Sequence, residues 1–412
     1  MKRNRVVITG MGILAPNGTG IEPFWESILN GRSGIGPITL FDANEFKSRI
    51  AGEVKDFDPD DYIEPELKPQ RMARHTQLAY AATMMALKDA GLAHSPDIPS
   101  PLPIIIGVSM NAMDVIEKAL YSTNRHGPNR MAPTTAAASI PSAPASVIAD
   151  RIGDWANATA VSSACTSGID AIAEAFSLIR SGDVDLAIAG GTDAPITPLV
   201  MGSFIASGLS SCRNDEPQKA SRPFDVDRDS GVISEGACVF VLEQLERAEG
   251  RGARSYFEIT SYAKRRDRSA LEPGSGLEYS MQLALTNGRM QPSDIDYISA
   301  YGPGHPELDA AEARVLKSVF RERLGEIPVS SIKGVTGNAL SAGGPFQLAS
   351  CALAMRDHVI PPTTNCDVPD PACNFDLVQF RPRRANVDTA LVNVRGLGGS
   401  ASTMVVSRFA EQ

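Results

Sequence analysis

Two segments in opposite halves of this chain follow one pattern. "SSACTSGIDAIAEA" is a turn of small residues that opens a helix of small apolar residues. "SIKGVTGNALSAGG" repeats the design more than a hundred residues later. An apolar strand-like run precedes each turn. No short-period repeat connects them, so a solenoid is excluded and two similar halves are implied.

The rest of the sequence fits that plan. "RVVITGMGI", "LPIIIGVSM", "ATAVSSAC", "DLAIAGGTD" and "CVFVLEQL" read as buried strands. "IEPFWESILNG" and "RHTQLAYAATMMALKDAGL" read as helices closed by glycine, and "SGIDAIAEAFSLIRSG" as a helix between two of the strands. "AASIPSAPASVIADRIG" reads as helical in its last two turns. After about residue 250 the pattern restarts. Strands "SYFEITSYA", "IDYISAYG" and "IPVSSIKG" alternate with helices "GLEYSMQLALTNG", "ELDAAEARVLKSVF" and "FQLASCALAMRD". "TALVNVRGLGG" and "STMVVSRF" form a closing hairpin. Strands alternating with helices predict an α/β fold with sheets covered on both faces. The halves are placed at 1–250 and 251–412.

Charge and composition narrow the function. The net charge of -9 argues against nucleic-acid binding. One basic run, "KRRDR" (Lys264 to Arg268), reads either as a solvated loop or as a docking patch for an acidic partner. The six cysteines are scattered without a CxxC pair, and the five histidines complete no metal-ligand spacing, so no metal is expected. The N-terminal apolar run is short and broken by Gly10, Gly12 and Pro16, unlike a signal peptide. No window reaches the length of a membrane span. A cytoplasmic protein without disulfides is expected.

Cys165 is the candidate nucleophile. A thiol on a tight strand-to-helix turn meets unpaired N–H groups and the positive end of a helix dipole, which favour a thiolate and a developing oxyanion. The alternative is a small buried cysteine that only packs.

With "RPFDVDRDSGVISEGACVFVLE" and "VRGLGGSASTMVV", the Cys165 segment resembles the β-ketoacyl-acyl-carrier-protein synthases, from Arg5 to Phe409. The resemblance implies a thiolase-like fold, two similar halves in a five-layered αβαβα sandwich. It implies dimers formed across the strand that leads into the nucleophile. It also implies acyl substrates carried on the phosphopantetheine of an acyl carrier protein, with no other cofactor.

The match breaks where decarboxylation chemistry resides. The family's first histidine position holds Tyr301, in "SAYGPGHPELDAAEA", and the threonines that follow it become Pro303 and His305. The second histidine, at the end of a KxxTGH segment, becomes Asn338 in "KGVTGN", while Lys333, Thr336 and Gly337 remain. A gating phenylalanine becomes Leu397, beside Gly398 in the closing glycine loop. An enolate needs strong donors, and a phenol with a pKa near 10 is a poor base at pH 7. Losing one oxyanion donor costs about 10²–10³ in rate. His305 either substitutes for an imidazole or is a loop residue. Glu312 and Lys333 match a buried charged pair near the family's active site. "TTAAASIPSAPASV" matches a region that lines the acyl pocket and dimer interface; close helix packing is the other reading.

The altered second half resembles the chain-length factors, ketosynthase-like partner subunits of type II polyketide synthases, although those typically carry glutamine at the Cys165 position. The resulting expectation is a partner that forms a heterodimer with a Cys-His-His ketosynthase and shapes its acyl tunnel. The competing expectation is a Cys165-dependent acyltransferase, or an altered-triad synthase acting as a homodimer.

Overall fold

A computed structural model describes residues 3–93, 98–153, 156–269 and 272–409. Its first strand, β1 (Val6–Ala15), is buried at every position. Gly10 and Gly12 explain how a helix lies so close to it. A Cβ on either would stand within 2.3 Å of the backbone oxygens of Ala86 or Ala82. Those alanines belong to α2 (Arg74–Asp89), which follows α1 (Ile21–Leu29).

The first half continues through β2 (Pro103–Val108), α3 (Met113–His126), α4 (Ala143–Ile152) and β3 (Asn157–Val161). Then come α5 (Ser167–Ser181), β4 (Leu186–Asp193), α6 (Pro198–Ala206) and β5 (Gly236–Gln244). The second half runs β6 (Phe257–Arg266), α7 (Ser275–Gly288), β7 (Tyr297–Ser299), α8 (Pro306–Phe320) and β8 (Val329–Ser330). It ends with α9 (Gly343–Asp357) and the hairpin β9 (Thr389–Arg395) and β10 (Ser400–Ser407). Helices α3 and α6 had no counterpart in the sequence reading. None of the α3 residues is buried, so no apolar stripe against a core of this chain marks it.

Among the described residues ten strands of an eleven-stranded sheet lie in the order β8-β7-β9-β10-β6-β1-β5-β4-β2-β3, and the eleventh, Gly18–Thr19, pairs with β1. Each group of five has the same sense. β3/β2 and β2/β4 are parallel, and β4/β5 and β5/β1 antiparallel. β8/β7 and β7/β9 are parallel, and β9/β10 and β10/β6 antiparallel. Among the described residues the two groups pair where Val7 and Ile8 of β1 meet Glu258 and Phe257 of β6. In this arrangement β3 and β8 occupy equivalent places, as do α5 and α9.

Three cores define the layers. One joins α2 and α4 to the first group of strands, and one joins α7 and α8 to the second. Between them α5 and α9 share the largest core, contributing Ile169, Ile172, Phe346 and Leu353. The result is the expected five-layered αβαβα sandwich. α9 is buried from Gly343 to Met355 because sheet residues cover it on both sides. Among the described residues no helix is long and apolar enough to cross a membrane.

Candidate active site

The turn between β3 and α5 presents Cys165. Ala164 takes a left-handed conformation at φ 60°, which aims the next residue away from the strand line. Asp170, one turn into α5, holds the turn. It accepts from Ser163 Oγ at 2.5 Å, Tyr262 Oη at 2.7 Å and Ser402 Oγ at 2.6 Å, and it pairs with Lys264. The last three groups come from the second half, so Asp170 fixes the turn to both halves. The glycine loop closes over it. A Cβ on Gly396 would lie 3.2 Å from the Cys165 N and 2.5 Å from Ser400 Oγ, so only glycine lets the loop approach this closely.

The structure brings together the residues singled out at the two histidine positions. Glu312 of α8 holds the Tyr301 turn by accepting the N–H groups of Tyr301 and Gly302, each at 2.8 Å. Asp309 accepts from Gly304 N at 3.1 Å. The Tyr301 hydroxyl and the Cys165 thiol lie close enough for each to influence the other's protonation, and Asn338 lies close enough to influence that of Tyr301. Asn338 itself is fixed by its backbone, whose N–H donates to Val232 O at 2.8 Å. The three residues, Asn338, Tyr301 and Cys165, therefore face one cavity together.

Its electrostatics correct one expectation. The helix N-terminus does not yield a thiolate. Burial, with the carboxylate of Asp193 nearby, pushes the Cys165 thiol up to about 11, against the opposing pull of the Leu397 N–H, Tyr301 and Lys333. On the order of one molecule in 10⁴ carries the thiolate at pH 7. Burial also drives the Tyr301 hydroxyl far above its ordinary value, so it is a donor and not a base. The Leu397 N–H points at the sulfur, while the Leu397 side chain is exposed.

A second correction concerns Glu312 and Lys333, which make no direct ion pair. Glu312 is occupied by the Tyr301 turn. The Lys333 ammonium lies 4.5 Å from the centre of the Tyr301 ring and donates to Gln347 Oε1 at 3.2 Å. Full burial lowers Lys333 to about 8, although Glu312 still favours its charge from a distance. His305 does not reach the sulfur in place of an imidazole. It caps α8, its Nδ1 accepting the Glu307 N–H at 3.2 Å. "RPFDVDRD" is a brace. Arg222 pairs with Asp225, Arg228 pairs with Asp370, and the Phe224 N–H donates to Asp309 at 2.8 Å.

A cavity of about 310 Å³ opens onto Cys165. Tyr301, His305, Asn338, Leu397 and Gly398 line it, together with Ser230 and Arg395, which the sequence reading did not single out. Arg395 lay inside the quoted "VRGLGG" motif, and a charged residue beside a glycine loop was the available signal. The basic run begins as the end of β6, Lys264 to Arg266, and leaves the strand at Asp267 and Arg268; Arg266 donates to Gly398 O at 2.8 Å, at the cavity rim. A larger open cleft, about 1050 Å³, lies between Arg74, Tyr121 and Leu199 and is not lined by Cys165. "TTAAASIPSAPASV" does not line the Cys165 cavity, and Ile140 within it is exposed.

Fold and site together define a thiolase-like protein with a buried cysteine beside a cavity. The model for the N-terminal domain of beta-ketoacyl synthases matches residues 3–248, and that for the C-terminal domain matches residues 256–367. The chain belongs to the beta-ketoacyl synthase family. It is 38% identical to the tetracenomycin polyketide synthase ketoacyl synthase alpha subunit of Streptomyces glaucescens, over 98% of this chain and 97% of that one. It is 34% identical to 3-oxoacyl-[acyl-carrier-protein] synthase 2 of Synechocystis, over 99% of both. Among solved structures, the ishigamide ketosynthase/chain length factor superposes with a TM-score of 0.91 at 31% identity, over 99% of this chain and 100% of that one. A type II acyl-carrier protein complex with its ketosynthase, AntDE:AntF, gives 0.91 at 30% identity with the same coverage.

Proposed function

We propose that this chain is a ketosynthase-family subunit of a type II polyketide or fatty-acid synthase that works as a chain-length-factor-like partner. It pairs with a Cys-His-His ketosynthase and shapes the acyl tunnel. The observation that carries this reading is the grouping of Tyr301 and Asn338 beside Cys165 in one cavity. It places a neutral phenol and an amide where decarboxylation needs strong donors, and it leaves the thiol protonated. Two further features support it. β3 has β2 on one side and an open edge on the other, with Asn157, Ala158 and Thr159 exposed. The same half exposes Leu120, Tyr121, Met131 and Ile140, apolar side chains suited to a partner's surface. The solved ishigamide pair is a ketosynthase with a chain length factor. Acyl carrier protein is the acidic partner for the basic run, of which Arg266 reaches the cavity rim, and its phosphopantetheine delivers the acyl group.

A second reading has its own support. Cys165 is accessible through a cavity, and the Leu397 N–H stands at its sulfur, ready to receive a thioester oxyanion. In that reading Cys165 is an acyltransferase nucleophile.

Intact-protein mass spectrometry with acyl- and malonyl-acyl-carrier protein, with and without a partner ketosynthase, separates the two. The partner reading expects no elongation by the chain alone, elongation by the pair, and unchanged product from a pair carrying Cys165→Ala. Elongation by the chain alone would sink it. Loss of product with Cys165→Ala would favour the acyltransferase.

A further inference from the structure

Gln347 lies near the start of α9 and is fully buried. Its amide nitrogen stands among four oxygens. These are the carbonyls of Ala300 at 2.9 Å, Ser299 at 3.0 Å and Asn393 at 3.2 Å, and Ser299 Oγ at 3.4 Å. Its amide oxygen accepts from the Lys333 ammonium at 3.2 Å. The two ends of this amide are not interchangeable. A flipped amide would set its oxygen against three carbonyls and its hydrogens against an ammonium.

Both ends act on Tyr301. Ser299 and Ala300 are the two residues that lead into it. Lys333 lies 4.5 Å from the centre of its ring, within range of a cation–π contact. Asn393 adds a third link, because its Nδ2 reaches Glu312 Oε1 at 3.4 Å, and Glu312 accepts the N–H groups of Tyr301 and Gly302. Among the described residues, Gln347 Oε1 is the one hydrogen-bond acceptor of the Lys333 ammonium. Without it a fully buried cation would face a ring and nothing else.

We infer that Gln347 is a positioning residue of the Cys165 site. It fixes Tyr301 by holding the backbone before it and by holding the Lys333 ammonium over its ring. Gln347 does not line the Cys165 cavity, so it acts only through these neighbours. Lys333 and Tyr301 both favour the Cys165 thiolate, against the burial that opposes it. Losing Gln347 loosens both and lowers the thiolate fraction. The inference goes beyond the proposed function, since it holds whether Cys165 transfers an acyl group or serves beside a partner.

The test is alkylation of the full-length protein by iodoacetamide at pH 8, followed peptide by peptide by mass spectrometry. Gln347→Met is close in length and lacks both ends of the amide. It should slow alkylation of Cys165 about 3- to 10-fold, equivalent to a rise of up to about one pKa unit. The exposed Cys212 should react at an unchanged rate, and the buried Cys238 and Cys351 should stay protected, which reports an intact fold. Lys333→Met should also slow Cys165. The double variant should slow it by less than the product of the two factors, because both residues act on Tyr301. A Cys165 rate that is unchanged or faster in folded Gln347→Met would overturn the proposal. So would two factors that simply multiply, because Gln347 would then act independently of Lys333. If Gln347→Met does not fold, Lys333→Met carries the test, and an unchanged rate there overturns the proposal.

Discussion

β3 and β8 hold equivalent places in the two halves, yet their outer edges differ. β3 is exposed along Asn157–Thr159 and pairs only with β2. β8 is buried, and a later segment covers its free side. The Val329 N–H donates to Asp376 O at 2.8 Å, and the Val378 N–H donates to Val329 O at 2.9 Å. An uncovered strand edge is a site for association, and a covered one is finished within the chain. One repeated unit thus has an edge left open, and the other has an edge sealed by its own chain. The turns beyond them diverge in the same sense. The β3 turn presents a thiol, and the β8 turn presents an amide that supports Tyr301.

The comparison is broken most directly at the open edge. Ala158→Asp with Ala160→Asp places like charges along it. The association constant should fall about 100-fold, equivalent to losing an interface hot spot. Thermal stability of the separated subunit should change little. Sedimentation measures the first and calorimetry the second. Unchanged association would mean that β3 is not the interface.

The sealed edge should respond the opposite way. Leu377, 8% exposed against β8, when changed to alanine should cost about 2–3 kcal/mol of unfolding free energy, read from denaturant melts. Association should be untouched. A loss of pairing without a loss of stability would reverse the assigned roles.

The two turns are compared through the thiol. With Cys165 at about 11, its alkylation by iodoacetamide should rise about tenfold per pH unit from 7 to 10, without a plateau. Mass spectrometry follows the modified peptide. A plateau near pH 8 would mean that the thiolate is favoured after all. Tyr301→Phe removes a donor to the thiolate, so it raises the thiol further and slows alkylation by up to about tenfold at fixed pH. Asn338→Ala should slow it about two- to threefold, because it acts only through the tyrosine.

Much of this was legible in sequence because it depends on local pattern. Continuous apolar runs marked the strands, small-residue helices marked α5 and α9, and the repeated motif marked the two turns that carry Cys165 and Asn338. The replacement of both histidines was also plain, since it needs only residue identities in order. What escaped was pairing over distance. Asp170 meets Tyr262, Lys264 and Ser402, and Asp267 meets Arg395, across gaps that no spacing rule spans. α3 escaped for a related reason: none of its residues is fully buried in its own chain.

The sequence by itself determined the layered α/β architecture, the twofold design and the absence of the two imidazoles. Periodicity and residue type suffice for those. Only the tertiary structure decided that the Cys165 thiol stays protonated, that Lys333 faces a tyrosine ring instead of Glu312, and that an arginine paired with Asp267 lines the cavity. Charge states and hydrogen-bond partners depend on what surrounds a group in space. In this protein those surroundings are drawn from both halves of the chain.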